Sequence, residues 1–218
     1  MPTLGQSTQI CFVATLAMLA LHLWAERKEW RGLWVATKLL ASTGFLLTAL
    51  SAGALDLAWG RLIVVGLAAS WVGDACLLSR ARGPFLAGLG AFLLGHVAYC
   101  AAFWHHGVDL QASAVAAPVM VVAGVIVERR LRPGVDASMR GPVLAYIVVI
   151  SLMVSLAVGA WWAGASPVLL VGALAFYLSD LSVARDRFVV SSFENRLWGL
   201  PAYYLGQLCL AVSVGLSA

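Results

Sequence analysis

Eight stretches of this chain are apolar over close to 20 residues each, about the length a helix needs to cross the hydrocarbon of a bilayer. They run over residues 8–25, 32–52, 59–79, 85–104, 111–127, 141–162, 167–184 and 198–217. Transmembrane barrel strands alternate apolar and polar residues over about ten positions, and these continuous runs do not. With 62% hydrophobic and 11% charged residues in 218, there is too little polar surface to cover a soluble globule. The expected fold is an all-α integral membrane protein of eight transmembrane helices, a single polytopic domain over residues 1–218. Residues 1–9 carry no Lys or Arg, so the first run lacks the basic flank of a cleavable signal and reads as a retained helix.

Basic residues decide the orientation. Twelve of the fourteen lie between runs in odd-numbered loops: Arg27, Lys28 and Arg31; Arg80 and Arg82; Arg129, Arg130, Arg132 and Arg140; Arg185, Arg187 and Arg196. Only Arg61 lies toward an even-numbered loop, and Lys38 is inside the second run. By the positive-inside rule the odd loops face the cytoplasm and both termini the other side. The same clustering accounts for the net charge of +4 without a nucleic-acid partner. Trp24, Trp30, Trp34, Trp59, Trp104, Trp161, Trp162 and Trp198 mark run ends, as interfacial anchors do, and Trp71 alone is deep. Cys11, Cys76, Cys100 and Cys209 lie in apolar runs without metal or redox spacing and read as small hydrophobes.

The chain carries a weak internal duplication. Gly66 and Asp74 in the third run match Gly172 and Asp180 in the seventh. Ala91-Phe92-Leu93-Leu94-Gly95-His96 aligns with Ala202-Tyr203-Tyr204-Leu205-Gly206-Gln207, and Arg31-Gly32 with Arg140-Gly141. The offsets of 106, 111 and 109 suggest two parallel four-helix repeats, a plan that often places sites between its halves.

Ionisable groups inside such runs are costly, about 2.5–3.5 kcal/mol for an acid at the helix centre on the most lenient scale, and they mark function. At about 1.5 Å per residue, Lys38, Asp74 and Asp180 all lie roughly 6–10 Å inside the cytoplasmic boundary. Asp74 has two readings, a general acid made proton-donating by burial or a structural partner of Lys38; Ser70, four residues earlier, shares its face. Asp180, with Tyr177 one turn deeper, is a second catalytic acid or an acid snorkelling to the interface. Lys38 is a counter-ion, a headgroup contact or a snorkelling amine. His96 is a proton shuttle or a packing residue. Tyr99, Tyr203, Tyr204 and Gln207 on the fourth and eighth runs are suited to line a pocket. The paired His105 and His106 read as a solvated loop on the far side.

Several chemistries lack their motifs. There is no Gly-x-Ser-x-Gly elbow, no His-Glu-x-x-His and no phosphate-binding glycine loop, and ligand spacing for a metal is not evident, so no cofactor is called for.

Ser70-Trp71-Val72-Gly73-Asp74, Gly90-Ala91-Phe92-Leu93-Leu94-Gly95-His96-Val97-Ala98-Tyr99 and Phe176-Tyr177-Leu178-Ser179-Asp180, set in eight runs, resemble the YhhN-like lysoplasmalogenase family. The resemblance implies a membrane hydrolase that cleaves the vinyl-ether bond of lysoplasmalogens, releasing a fatty aldehyde and a glycerophosphocholine or glycerophosphoethanolamine. It carries the family's acid onto Asp74, its histidine onto His96 and its lysine onto Lys38. The family's lysine is often followed by proline, and here Leu39 follows. The expected chemistry uses Asp74 as donor, Asp180 or His96 as base, and Lys38, Ser70, Tyr99, Tyr177, Tyr203, Tyr204 and Gln207 around the lipid. A lysophospholipid substrate and the bilayer are the expected partners, a bacterial inner membrane the expected location, with the active site on the cytoplasmic side. The alternative is a small ion-coupled transporter or a lipid-binding membrane protein.

Overall fold

A computed structural model describes residues 4–79 and 81–217. Arg80, one of the loop-three arginines, lies outside the described residues. Among the described residues the chain forms eight α-helices and no strand: α1 Gln6–Arg27, α2 Arg31–Ser51, α3 Ala58–Cys76, α4 Arg82–His106, α5 Leu110–Leu131, α6 Ala137–Trp162, α7 Pro167–Phe188 and α8 Phe193–Leu216. Seven are long and apolar enough to cross a membrane, which makes this a multi-pass membrane protein. The exception is α3, whose 19 residues include both Arg61 and Asp74.

Helix ends follow local chemistry. Ser166 caps α7 by accepting from the Val168 amide, and Pro167 takes the first turn, where its missing N–H costs nothing. α8 begins five residues ahead of its apolar run because Ser192 accepts from the Asn195 amide and Glu194 occupies the positive end of the helix dipole. His105 and His106 are the last two residues of α4 rather than a loop, and the His106 ring meets Trp59 edge-on at 4.7 Å.

The helices pack as hairpins, α1 with α2, α3 with α4, α5 with α6 and α7 with α8; α2 then lies against α3 and α8, as α6 lies against α7 and α4. The α3–α4 and α7–α8 crossings are built alike. A β-carbon on Gly95 would stand 3.1 Å from the Gly66 carbonyl oxygen, and one on Gly206 3.0 Å from that of Gly172. Without a hydrophobic drive between helices in lipid, such backbone-to-backbone approach supplies the packing, and only glycine allows it here. α5 is little enclosed, with four buried residues along its length, whereas α8 has thirteen and runs through the middle of the bundle. The polar side chains of α8 therefore have to find partners inside the protein.

Candidate active site

Between the helices a cavity of about 810 Å³ is lined at depth by Lys38, Asp74, Phe92, Tyr146, Tyr177, Asp180 and Tyr203, and along its wall by apolar residues including Leu89, Leu131, Val143 and Ile150. Its outer rim carries Glu29, Arg31, Ser79, Asp186, Arg187 and Arg196, all from or beside odd-numbered loops. The volume falls in the range of about 300–1,000 Å³ usual for ligand pockets. The rim is braced by Arg196 of α8, which pairs with Glu26 of α1 and, at 3.0 Å, with Asp186 of α7. Arg187 also lies 4.2 Å over the Phe85 ring.

Asp74 sits on the last turns of α3 and is 2% exposed. Lys38 of α2 places its Nζ 3.2 Å from Oδ1. Oδ2 accepts from Ser42 Oγ at 2.6 Å and from Tyr203 OH at 2.7 Å. Tyr204 OH lies 3.1 Å from Ser42 Oγ and donates to the Lys38 carbonyl at 3.2 Å, so it braces the donors from behind. Lys38 is thus a counter-ion rather than a snorkelling amine: one turn of α2 supplies Asp74 with a cation and a hydroxyl at i and i+4, the spacing that puts both on one face.

Asp180 on α7 has a different neighbourhood. Tyr146 of α6 donates to its Oδ2 at 2.8 Å, and His96 Nε2 of α4 lies 3.5 Å from the same oxygen. The His96 side chain is fully buried, while that of Asp180 is 17% exposed, toward the cavity. His96 Nδ1 lies 2.7 Å from the Phe92 carbonyl, which only accepts, so Nδ1 carries the hydrogen. The Phe176 ring packs 4.5 Å from the His96 ring and 5.4 Å from that of Tyr203.

Of the residues singled out in the sequence, Lys38, Asp74, Tyr177, Asp180 and Tyr203 line the cavity, and His96 and Tyr204 stand directly behind the acids. Ser70, Tyr99 and Gln207 do not line it. Ser70 Oγ returns to the Gly66 carbonyl at 2.9 Å, and Tyr99 OH donates to Gln207 Oε1 at 2.7 Å, fastening α4 to α8 in the core. Ser70 and Asp74 are spaced for one helical face, but the small hydroxyl bonds the carbonyl a turn behind it rather than the acid.

Three site residues escaped the sequence reading: Ser42, Tyr146 and His22. Ser42 was accessible through its spacing from Lys38. Tyr146 is the only tyrosine of α6 and lies in the first half of that helix. His22, the only histidine of α1, is 1% exposed, lines the cavity and stacks on Trp34 with its Nδ1 3.0 Å from the Trp34 carbonyl.

A family model described as the YhhN family matches residues 33–214. Among curated proteins, lysoplasmalogenase TMEM86A of Bos taurus is 31% identical over 176 residues, covering 78% of this chain and 68% of the relative. Lysoplasmalogenase TMEM86A of Homo sapiens is 30% identical over 157 residues, covering 69% of this chain and 64% of the relative. The chain therefore spans about two thirds of the length of these relatives. No solved structure matches.

Proposed function

Because this chain belongs to the YhhN family, we propose that it hydrolyses the vinyl-ether bond of a lysoplasmalogen, yielding a fatty aldehyde and a glycerophospho-headgroup. The observation that carries this reading is the pair of carboxylates, Asp74 and Asp180, facing one largely apolar cavity from two different helices. Vinyl ethers hydrolyse by protonation at the β-carbon, which leaves an oxocarbenium ion for water to attack. Glycosidases meet the same demand with two carboxyl groups, one donating a proton and the other stabilising the cation or activating water. Here one acid protonates the alkene and the other faces the cation, with His96 beside Asp180 available to the proton traffic. Phe92 and Tyr203 line the same cavity, with their rings packed edge to face.

The apolar wall suits a single alkenyl chain, and the charged rim suits a phosphorylated headgroup. With odd loops cytoplasmic and eight helices spanning as two four-helix repeats, both termini lie outside and the cavity opens to the cytoplasm of a bacterial inner membrane. The like-built crossings Gly66–Gly95 and Gly172–Gly206 support the repeats.

The test is purified protein in lipid nanodiscs, incubated with lysoplasmalogen in D₂O and followed by mass spectrometry. The expected product is a fatty aldehyde with one deuterium at the carbon next to the carbonyl. Release of a fatty acid from acyl lysolipids alone, or an unlabelled aldehyde, would sink the proposal.

A further inference from the structure

We propose that Asp180, and not Asp74, is the acid that carries the proton in the resting protein and delivers it to the substrate, and that His96 is the positioning residue that keeps it there. This rests on the vinyl-ether reading for its substrate, but its physical basis is the set of polar groups around the two acids.

Every interaction at Asp74 is one that a carboxylate needs. Oδ1 faces the Lys38 ammonium at 3.2 Å, and Oδ2 accepts from Ser42 and Tyr203 at 2.6 and 2.7 Å. Lys38 is a donor with no acceptor capacity, the Tyr203 phenol donates to Oδ2, and the Ser42 hydroxyl makes its shorter contact to that same oxygen, at 2.6 Å against 3.0 Å to the Lys38 carbonyl. A hydrogen on Asp74 would displace one of these donors and leave the ammonium buried without its counter-charge. A buried cation that loses its partner is strongly unfavourable, so Asp74 keeps its charge.

Asp180 lacks that support. Among the described residues no lysine or arginine forms an ion pair with it, and the groups that face it are Tyr146 from α6, His96 from α4 and, on its own helix, Tyr177, which lines the same cavity. The decisive atom is His96 Nε2. Since Nδ1–H is committed to the Phe92 carbonyl, a neutral ring presents a lone pair at Nε2, and this buried atom has no hydrogen-bond partner. It stands 3.5 Å from Asp180 Oδ2. A lone pair facing a carboxylate is repulsive, so one hydrogen belongs to the pair. With His96 fully buried, the neutral arrangement, a carboxylic acid turned to the imidazole, avoids creating two buried charges. No donor among the described residues reaches Asp180 Oδ1, and the side chain opens to the cavity.

The steps balance. The Asp180 O–H bond breaks as a C–H bond forms at the β-carbon of the alkene, and the electron pair of the double bond is consumed. The oxocarbenium ion lies in the field of the Asp74 carboxylate. Water adds to its carbon, and the proton that water loses returns to Asp180. The hemiacetal then collapses as its hydroxyl proton passes to the departing glycerol oxygen, giving aldehyde and alcohol with no other reactant. Two acids of one type are thus separated into a proton carrier and a fixed charge by their surroundings, as paired carboxyl groups are in other hydrolases.

The experiment is infrared spectroscopy of the substrate-free protein in nanodiscs, comparing H₂O and D₂O, on isosteric variants checked for folding by thermal melting. The C=O band of a protonated carboxylic acid should lose a component in Asp180→Asn and keep it in Asp74→Asn. In His96→Leu that component should shift without vanishing, and in His96→Gln, which keeps an acceptor, it should shift less. A spectrum from which Asp180→Asn removes nothing, or from which Asp74→Asn removes a component, overturns the assignment. An unmoved component in His96→Leu overturns the part given to His96. These readings need no turnover, so they stand apart from failure of the substrate proposal. In the aldehyde assay, Asp180→Asn should lower kcat by about 10²–10⁴-fold, the usual weight of a general acid, with little change in KM.

Discussion

Asp74 and Asp180 each stand eight residues after a glycine that lets its helix touch the next, yet their surroundings are opposite. Asp74 is closed in by a cation and two hydroxyls, whereas Asp180 is held by one phenol and one imidazole and is open to the cavity. The difference comes from neighbouring helices. α2 brings Lys38 and Ser42 to Asp74, while α6, its counterpart in the packing, brings only Tyr146 to Asp180. A helix can therefore repeat a residue without repeating its chemistry, because the charge state of a buried acid is set by what faces it.

The comparison breaks first at Lys38. Lys38→Met leaves Asp74 as an unpaired buried charge, with an expected loss of about 3–5 kcal/mol of stability. Melting in nanodiscs should show much of that loss recovered when Asp74→Asn is added, and a double variant as unstable as the sum of the singles would remove the ion pair from the account. Next comes catalysis. Asp74→Asn should cost roughly 10²–10³-fold in kcat for aldehyde release, the order seen when a group that stabilises transition-state charge is removed, with KM nearly unchanged.

The two tyrosines sharpen the contrast. A hydrogen bond to a charged acceptor contributes about 1.5–3 kcal/mol and one to a neutral acceptor about 0.5–1.5 kcal/mol. Tyr203→Phe at Asp74 should therefore destabilise more than Tyr146→Phe at Asp180, as read by melting of the two variants side by side. Equal losses would mean that the acids do not differ in charge. The smallest effect is expected at the rim, where Arg196→Gln breaks the partly exposed pairs to Glu26 and Asp186. Its stability cost should stay near or below about 1 kcal/mol and shrink further in high salt.

How far the site was legible follows from what is local. Asp74, Asp180, Lys38 and His96 stand out because each is an ionisable group in an apolar run. Their pairings are not local. Tyr203 reaches Asp74 across 129 residues, and Tyr146 reaches Asp180 across 34. Tyr99 and Gln207 looked equally suited to a pocket and instead bond each other across 108 residues in the core, a pairing that no local signal announces.

The amino-acid sequence by itself determined the helical membrane architecture, for lipid leaves the backbone no alternative to internal hydrogen bonding over each apolar run. It also determined which few ionisable groups had to be accounted for, since each is costly in hydrocarbon. Only the tertiary structure decided that α8 runs through the middle, that Lys38 and Ser42 serve Asp74, and that His96 turns a bare nitrogen toward Asp180. Those contacts depend on how helices far apart in the chain cross, and the glycine approaches that set the α3–α4 and α7–α8 crossings act through space rather than along the sequence.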